Sequence, residues 1–401
     1  MNIRQSRKKD NKLTERYSIE LYDSIDEISE VWTKLTIDED IFLSTRYFKS
    51  LECCSPKGLQ QKYAILYEKE EAVAYFPIQI SEFNAEDSLK DRTTKESGHL
   101  RTSIAKMVKI NGLVAGNMIV SGEYMFRFVD QTIDPKEKFE ILEKVLSFCT
   151  SYYQSQDIPI NVVFTKDIPV SRTIEELGVK NSKFKAFSVE PLMVLHIDKE
   201  WEHFSDYLSS LTSKYRVRVK RAFKKSAHLN FREIGLEEMR EREPEYFPLY
   251  KEVFEGLDFS LFELPKGYFI SLKEHLKEDL LFYLVEDSGG KIVGFYTLIN
   301  NRRELHAHFL GYDKGYNRET QLYLTMLYKM LTYGIEKKYD LIDYGRTALE
   351  IKSSVGAIPH NYEMYLKHTN SIANYFIGPV INILNRKTDW DPRHPYRGQE
   401  K

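Results

Sequence analysis

Apolar, β-prone residues run over Tyr63–Glu68 and again over Ala72–Ile80, separated by the charged residues Lys69, Glu70 and Glu71. This pattern predicts a hairpin. Residues 81–103 are polar and low in apolar content, which predicts a long exposed loop. Ile110–Val120 and Tyr124–Phe128 read as further strands around Gly112, Gly116 and Gly122. Phe139, Leu142, Val145, Leu146 and Cys149 repeat at helical spacing within Lys136–Tyr153, and Ile160–Thr165 reads as a short buried strand.

The second half follows the same order. Leu280–Glu286 and Lys291–Ile299 are strands about the turn Asp287-Ser-Gly-Gly290. Asn300–Arg303 turns the chain into a strand at Glu304–Gly311. Tyr323, Met326, Leu327, Met330 and Leu331 mark a helix at about 319–338, with Asn317 or Thr320 as its cap, and Leu341–Tyr344 is the next strand. Hairpin, strand, helix, strand thus occurs twice, near 63–165 and 281–345. A helix crossing between two strands makes them parallel neighbours. The expectation is an α/β fold with mixed sheets in two related tandem domains joined near residues 190–200. The expected divisions are a disordered tail at 1–17, an N-terminal domain at 18–195, a C-terminal domain at 196–370 and an apolar, basic extension at 371–401.

Between the halves, Trp201, Phe204, Leu208, Leu211 and Tyr215 step by three and four, as in an amphipathic helix. It leads into KYRVRVKRAFKK, residues 214–225, with seven basic residues and no acidic one. Lys214, Arg218, Arg221 and Lys225 share a face at helical spacing. Like charges so close repel one another unless an anion lies near. These four are candidates for binding phosphates of a nucleotide-bearing donor, tRNA or an anionic lipid surface, against the alternative of a solvated charged face.

Composition narrows the classes. With 58 basic and 60 acidic residues among 401, the net charge of −2 argues against a general nucleic-acid binder. Cys53, Cys54 and Cys149 are too few and scattered for a disulfide framework or a cysteine-based zinc site, which points to a reducing, cytoplasmic compartment. No apolar run approaches the ~20 residues of a membrane span, and MNIRQSRKKDNK is not followed by an apolar stretch as a secretory signal would be. The chain is 13% aromatic. Aromatic-rich cores and a long apolar ligand groove both account for that.

Candidate chemistry gathers in the second half. Glu304, His306 and His308 alternate along one strand, and alternation puts all three on one face, opposite Leu305, Ala307 and Phe309. Histidine titrates near neutrality and Glu304 can tune it, so this is the candidate catalytic base. A solvent-facing edge strand and a zinc site are the lesser readings; no further metal ligand is evident. Arg346 and Thr347 follow a strand directly, where ligands of open α/β sheets sit. Arg346 suits a phosphate or carboxylate, and Lys352 supplies a second charge or is simply an exposed helix lysine. Asp313 caps the helix or orders the loop ahead of it rather than acting in chemistry, and Gly356 ends a turn of helix.

The run from Trp201 to Arg221, W-x-x-F-x-x-Y-L-x-x-L-x-x-K-Y-R-x-x-x-K-R, is followed by KIVGFYTLI, ELHAHFLGYD, YLTMLYKMLTYGI and DYGRTALEIKSSVGA. Together they resemble the FemAB-like acyltransferases of the GNAT superfamily, most of all a bacterial branch of N-acyltransferases. The resemblance is strongest over about 200–370. It implies tandem N-acetyltransferase-type folds and transfer of an acyl group from an activated carrier to an amine. Acyl-CoA is the implied co-substrate, with acyl-carrier protein or aminoacyl-tRNA as alternative donors; the last serves the peptidoglycan-bridge members. Some relatives acylate long-chain amines. The long helical arm frequent in the tRNA-dependent members is not visible here. The glycine-rich pyrophosphate loop Q/R-x-x-G-x-G/A is also absent. Gly311-Tyr-Asp-Lys-Gly-Tyr-Asn-Arg-Glu-Thr320 stands in its place. A helix N-terminus still attracts phosphate, so Lys314, Asn317, Arg318 and Thr320, with Arg346 and Lys352, are the candidate donor-binding residues. The missing loop also leaves room for a non-catalytic binding module on this fold.

Ile372–Leu384 is apolar and interrupted by Asn374 and Gly378-Pro379; basic and aromatic residues follow as far as Arg397. It is expected to pack on its domain. The alternative is an interfacial helix giving peripheral membrane contact through 372–397, at the inner membrane face.

Overall fold

The computed structural model describes residues 11–36, 40–84, 109–179, 182–256, 262–379, 381 and 389–398. The chain divides into two compact units, each built on its own mixed sheet. Among the described residues no helix is long and apolar enough to cross a membrane.

The first unit holds β1 (Tyr17–Tyr22), α1 (Ser29–Leu35), α2 (Thr45–Cys53), β2 (Leu59–Glu68), β3 (Glu71–Asn84), β4 (Lys109–Ala115), β5 (Arg127–Phe128), α3 (Pro135–Ser155), β6 (Val162–Pro169) and β7 (Lys185–Ser188). The expected hairpin forms, and its turn residues Lys69 and Glu70 take positive φ, as a tight two-residue turn between twisted strands requires. β2, β3 and β4 run antiparallel, α3 crosses over, and β6 returns parallel to β4. Asp134 caps α3, with Pro135 at its first position. Its Phe139, Leu142, Val145, Leu146 and Cys149 are buried as the spacing predicts. Of Tyr124–Phe128 only Arg127 and Phe128 form a strand. Trp32 packs edge-on against Phe48 and Tyr63. The largest buried side chains of both units are mostly aromatic, so packing accounts for much of the aromatic content.

The second unit holds β8 (Leu192–His196), α4 (Phe204–Ser210), α5 (Ser213–Lys225), β9 (Asn230–Glu233), α6 (Leu236–Glu255), α7 (Tyr268–Leu276), β10 (Leu280–Glu286), β11 (Ile292–Asn301), β12 (Glu304–Tyr312), α8 (Lys314–Thr320), α9 (Leu322–Glu336), β13 (Leu341–Asp343), α10 (Leu349–Val355) and β14 (Ile358–His360). Its strand order is β14-β8-β13-β12-β11-β10-β9. β10, β11 and β12 are antiparallel, and β13 lies parallel to β12 after α9. The repeated order therefore yields the same local topology in both units. Tyr215, Val219 and Ala222 of α5 join Met326, Leu327, Met330 and Leu331 of α9 in one core cluster.

Three expectations change. The helix at 319–338 is two helices, because Gln321 takes a left-handed conformation between α8 and α9. The helix begun at Trp201 likewise breaks, at Leu211 and Thr212. The divisions at 195/196 and 370/371 also differ. The first boundary falls at 189/190, since β8 joins the second sheet. β15 (Tyr362–His368) rejoins the first sheet between β6 and β7, burying Met364 and Leu366 beside Val162 and Phe187. α11 (Ser371–Tyr375) follows it in the first unit, and residues 389–398 return to the second. Within the expected tail, Lys12 bridges to Ser18; residues 1–10 lie outside the described residues, as do 85–103 of the expected loop.

Candidate active site

The strand β12 carries the candidate base, and a bulge decides which way its side chains point. Leu298 pairs with Ala307 and Tyr296 with Leu310, so Thr297 is opposed by both His308 and Phe309. Thr297 Oγ1 accepts from the Phe309 amide at 3.0 Å and donates to the Phe309 carbonyl at 2.9 Å. The bulge breaks the alternation. Phe309 was expected opposite His308, yet both meet rings of the α6–α7 side: Phe309 lies against Tyr250 and Tyr268, and His308 stacks on Tyr268. Leu305 belongs to the core cluster built on α5 and α9, with Leu310 and Tyr312 packed against it.

The two histidines differ in their surroundings. His306 is buried; its Nδ1 stands 3.3 Å from Asp343 Oδ2 and its Nε2 3.4 Å from Glu304 Oε2. Burial opposes its charge, but the Asp343 and Glu304 carboxylates outweigh burial and raise its pKa to about 9. His306 is therefore an imidazolium at neutral pH. His308 faces Tyr268, whose Oη lies 2.7 Å from its Nε2. Burial, with the nearby charge of His306, lowers its pKa to about 3, which keeps it neutral. The three residues expected to act as one base thus separate into a charged group, Glu304 with His306, and a neutral one, His308.

Asp343 joins this strand to the loop that follows β13. Its Oδ1 accepts from the Gly345 amide at 2.6 Å. Gly345, Thr347 and Ala348 have φ of 71°, 68° and 49°. For the β-branched Thr347 this conformation is costly and needs the surroundings to hold it. Lys352, on α10, supplies part of that hold. Rather than lying exposed, it is buried, and its Nζ donates to the carbonyls of Gly345, at 3.2 Å, and Arg346. Burial lowers its pKa to about 7, partly offset by Asp343 and Glu190. Arg346 donates to the Glu190 carbonyl. A cleft of about 240 Å³ opens beside the loop, lined by Glu190, Ala348, Leu349, Glu350, Ile351, Asp389 and Trp390.

The expected donor loop is built differently from a phosphate cradle. Asp313 Oδ1 accepts from the amides of Gly315 and Tyr316, so the chain's own carboxylate occupies the start of α8. Asn317 Oδ1 caps α9 through the Tyr323 amide, and Thr320 Oγ1 donates to the Tyr316 carbonyl inside the fold. Asn317 and Thr320 thus order the two helices. Lys314 and Arg318 are exposed. On α5, Lys214, Arg221 and Lys225 are exposed and Arg218 is partly buried; no acidic residue lies in the first turn of the helix.

Beyond His306 the geometry changes again. β12 pairs with β13 only through Glu304–His306, opposite Leu341–Asp343. Among the described residues no strand pairs with that side of β12 from Ala307 to Tyr312. The site therefore combines a free strand edge, a neutral histidine–tyrosine pair beside it, and a strained loop at the end of the adjoining strand. Among the described residues no group of three or more His, Cys, Asp or Glu is arranged to hold a metal ion. Sequence reasoning missed Asp343 and Tyr268. Asp343 carried a signal, an acid closing an apolar strand within DYGR. Tyr268 carried none, since it meets His308 across 40 residues of chain.

Residues 213–353 match the family model described as an acetyltransferase (GNAT) domain, a span that includes β12, β13 and Lys352. No curated protein matches the chain. Among solved structures the chain is similar to FemX, at 11% identity and a TM-score of 0.51 over 86% of this chain and 96% of that one. It is also similar to a tandem GNAT protein from the clavulanic acid biosynthesis pathway, at 10% identity and 0.47 over 88% and 99%. A third similar structure is the C-terminal domain of a putative lysylphosphatidylglycerol synthetase from Agrobacterium fabrum, at 11% identity and 0.45 over 90% and 98%. The chain accordingly has a fold like that of FemX, and within it residues 213–353 match the model of a GNAT acetyltransferase domain.

Proposed function

We propose that this protein is an N-acyltransferase that moves an acyl group from acyl-CoA, or from an acyl-carrier protein, to an amine acceptor such as a long-chain or lipid amine. The observation that carries this reading is the side of β12 beyond His306, which no described strand pairs with, beside the His308–Tyr268 pair. A pantetheine arm bears amide groups, and an extended amide chain can hydrogen-bond to an unpaired strand edge. Its thioester carbonyl would then lie beside the bulge. The acceptor nitrogen attacks that carbonyl, a C–N bond forms, and the C–S bond breaks. The nitrogen attacks as the neutral amine; once added it gives up a proton, and neutral His308 orients the Tyr268 hydroxyl that relays it. Tyr268 lies next in line to pass a proton toward the departing sulfur. His306, held charged between Asp343 and Glu304, ties β12 to the loop at Gly345 through Asp343. The Glu190, Glu350, Asp389 and Trp390 lining of the cleft suits a cationic acceptor. Lys314 and Arg318 are exposed cations that can meet donor phosphates, and Lys352 holds the loop that carries Arg346.

Native mass spectrometry with acyl-CoAs of increasing chain length tests the donor. A retained acyl-CoA, bound more tightly as the chain lengthens, supports the reading; binding of none, with no transfer to any amine, removes it.

A second reading keeps the transfer and changes the carrier to aminoacyl-tRNA. The exposed cations of α5 favour it, because an extended basic face suits a polyphosphate backbone. Loss of activity on ribonuclease treatment would select this reading.

A further inference from the structure

Eight large apolar side chains are exposed among the described residues, and the three most exposed lie within five positions of one another: Ile372 at 72%, Tyr375 at 82% and Phe376 at 68%. They project from α11, in the first unit. This exposure does not come from a frayed end, because the turn is anchored from beneath. Asn370 caps it through the amides of Ile372 and Ala373. The buried Asn374 accepts from the His368 amide and donates to the Lys183 carbonyl. Ile377 and Ile381 bury beside Val162, Phe187, Met364 and Leu366. The same segment therefore has an inward face that packs and an outward face that contacts water. Folding of the unit does not require the outward face to be apolar.

Charge near the tip narrows the partner. Lys183 and Lys185 are exposed on the neighbouring β7 side, and Lys185 pairs with Leu366 of β15. Lys367 lies over the Phe184 ring. Glu143 accepts from Ser182 and attracts Lys367. Three aromatic or aliphatic anchors with lysines beside them suit the boundary between headgroups and acyl chains. Three side chains are too small a patch for a stable protein interface, which needs about 800 Å² per partner. A lipid surface makes no such demand.

We propose that Ile372, Tyr375 and Phe376 insert into the headgroup region of an anionic lipid surface, with Lys183 and Lys185 against the headgroups. The test is co-sedimentation of the full chain with vesicles of mixed phosphatidylglycerol and phosphatidylcholine, and with phosphatidylcholine alone. The protein is expected to pellet with the anionic vesicles, and added salt should weaken this. The Ile372→Ser/Tyr375→Ser/Phe376→Ser variant should bind about tenfold less, and Lys183→Glu/Lys185→Glu should lose the preference for anionic lipid. As a second measurement that leaves the tip apolar, Tyr375→Trp should show fluorescence quenched by brominated lipid. A wild-type protein that stays in solution with both vesicles, a triple variant that binds like wild type, or an unquenched Trp at 375 would each overturn the proposal. So would light scattering that shows a dimer abolished by the triple variant, with no vesicle binding. None of these readouts depends on acyl transfer.

Discussion

The Tyr268 hydroxyl lies 2.7 Å from His308 Nε2, and the two rings stack with centroids 5.9 Å apart. This places a tyrosine from α7 on a histidine of β12 where, among the described residues, no further strand pairs with it. Removing either partner tests the pair. His308→Ala and Tyr268→Phe are expected to lower kcat by about 10²–10⁴-fold, with a smaller effect on donor affinity. Steady-state kinetics beside a binding titration separate the two effects. Unchanged kcat in both variants would exclude a role for the pair in proton transfer.

His306 makes stability depend on pH with a definite sign. Its folded-state pKa, about 9, lies above the ordinary histidine value of 6.5. Its contribution is thus complete below about pH 6.5 and is lost as pH rises through 9. The size is on the order of 3 kcal/mol. Thermal melts of the wild type and Asp343→Asn between pH 6 and 10 check this: the variant's curve should be flatter over that window.

Lys352 contributes with the opposite sign. Burial holds its pKa at about 7, below the ordinary 10.5. Keeping it charged inside the fold costs stability below pH 7, and that cost is relieved as pH rises from 7 toward 10.5. Relative to Lys352→Met, the wild type should therefore gain stability over that range. The variant should also lose turnover, because the Gly345 and Arg346 carbonyls lose their donor and the strained loop loosens. A difference in melting temperature between the two proteins that does not change with pH would contradict the assignment.

The bulge is the next target. Thr297→Val keeps the shape and removes both hydrogen bonds to Phe309. It should cost about 1–3 kcal/mol in urea unfolding and lower kcat by re-aiming His308. A variant that loses stability but keeps full activity would separate the bulge from the chemistry.

Gly311→Ala tests how closely α6 approaches β12. An added Cβ would lie 2.5 Å from the Tyr250 amide nitrogen and 2.6 Å from the Leu249 carbonyl carbon. These are backbone atoms and cannot rotate away. The substitution should cost about 1–3 kcal/mol or more, seen as a lower urea midpoint.

Residue by residue, the site divides by how far its interactions reach along the chain. Glu304, His306 and His308 could be found because they stand on one short strand. Lys352 was visible as a charge, but its burial was not, since a helix lysine looks the same in sequence whether exposed or covered. Asn317 was legible as a cap, although it caps α9 from across Gln321. Asp313 was legible as a cap and does accept from the Gly315 and Tyr316 amides, but the same sequence also offered that helix start to phosphate, and only the geometry shows the carboxylate in its place.

The amino-acid sequence by itself determined the order of elements and its repetition, the faces of α3 and α9, and the break between packed core and charged surface. Each of these depends on periodicity within a few turns or strand residues, which the local chain carries. Tertiary structure alone decided that β15 rejoins the first sheet and that Thr297 makes His308 and Phe309 share a face. It also decided that Asp343 joins His306 to the loop and that Tyr268 reaches His308. Those outcomes depend on hydrogen bonds and packing between residues far apart in the chain, where no local pattern selects the partner.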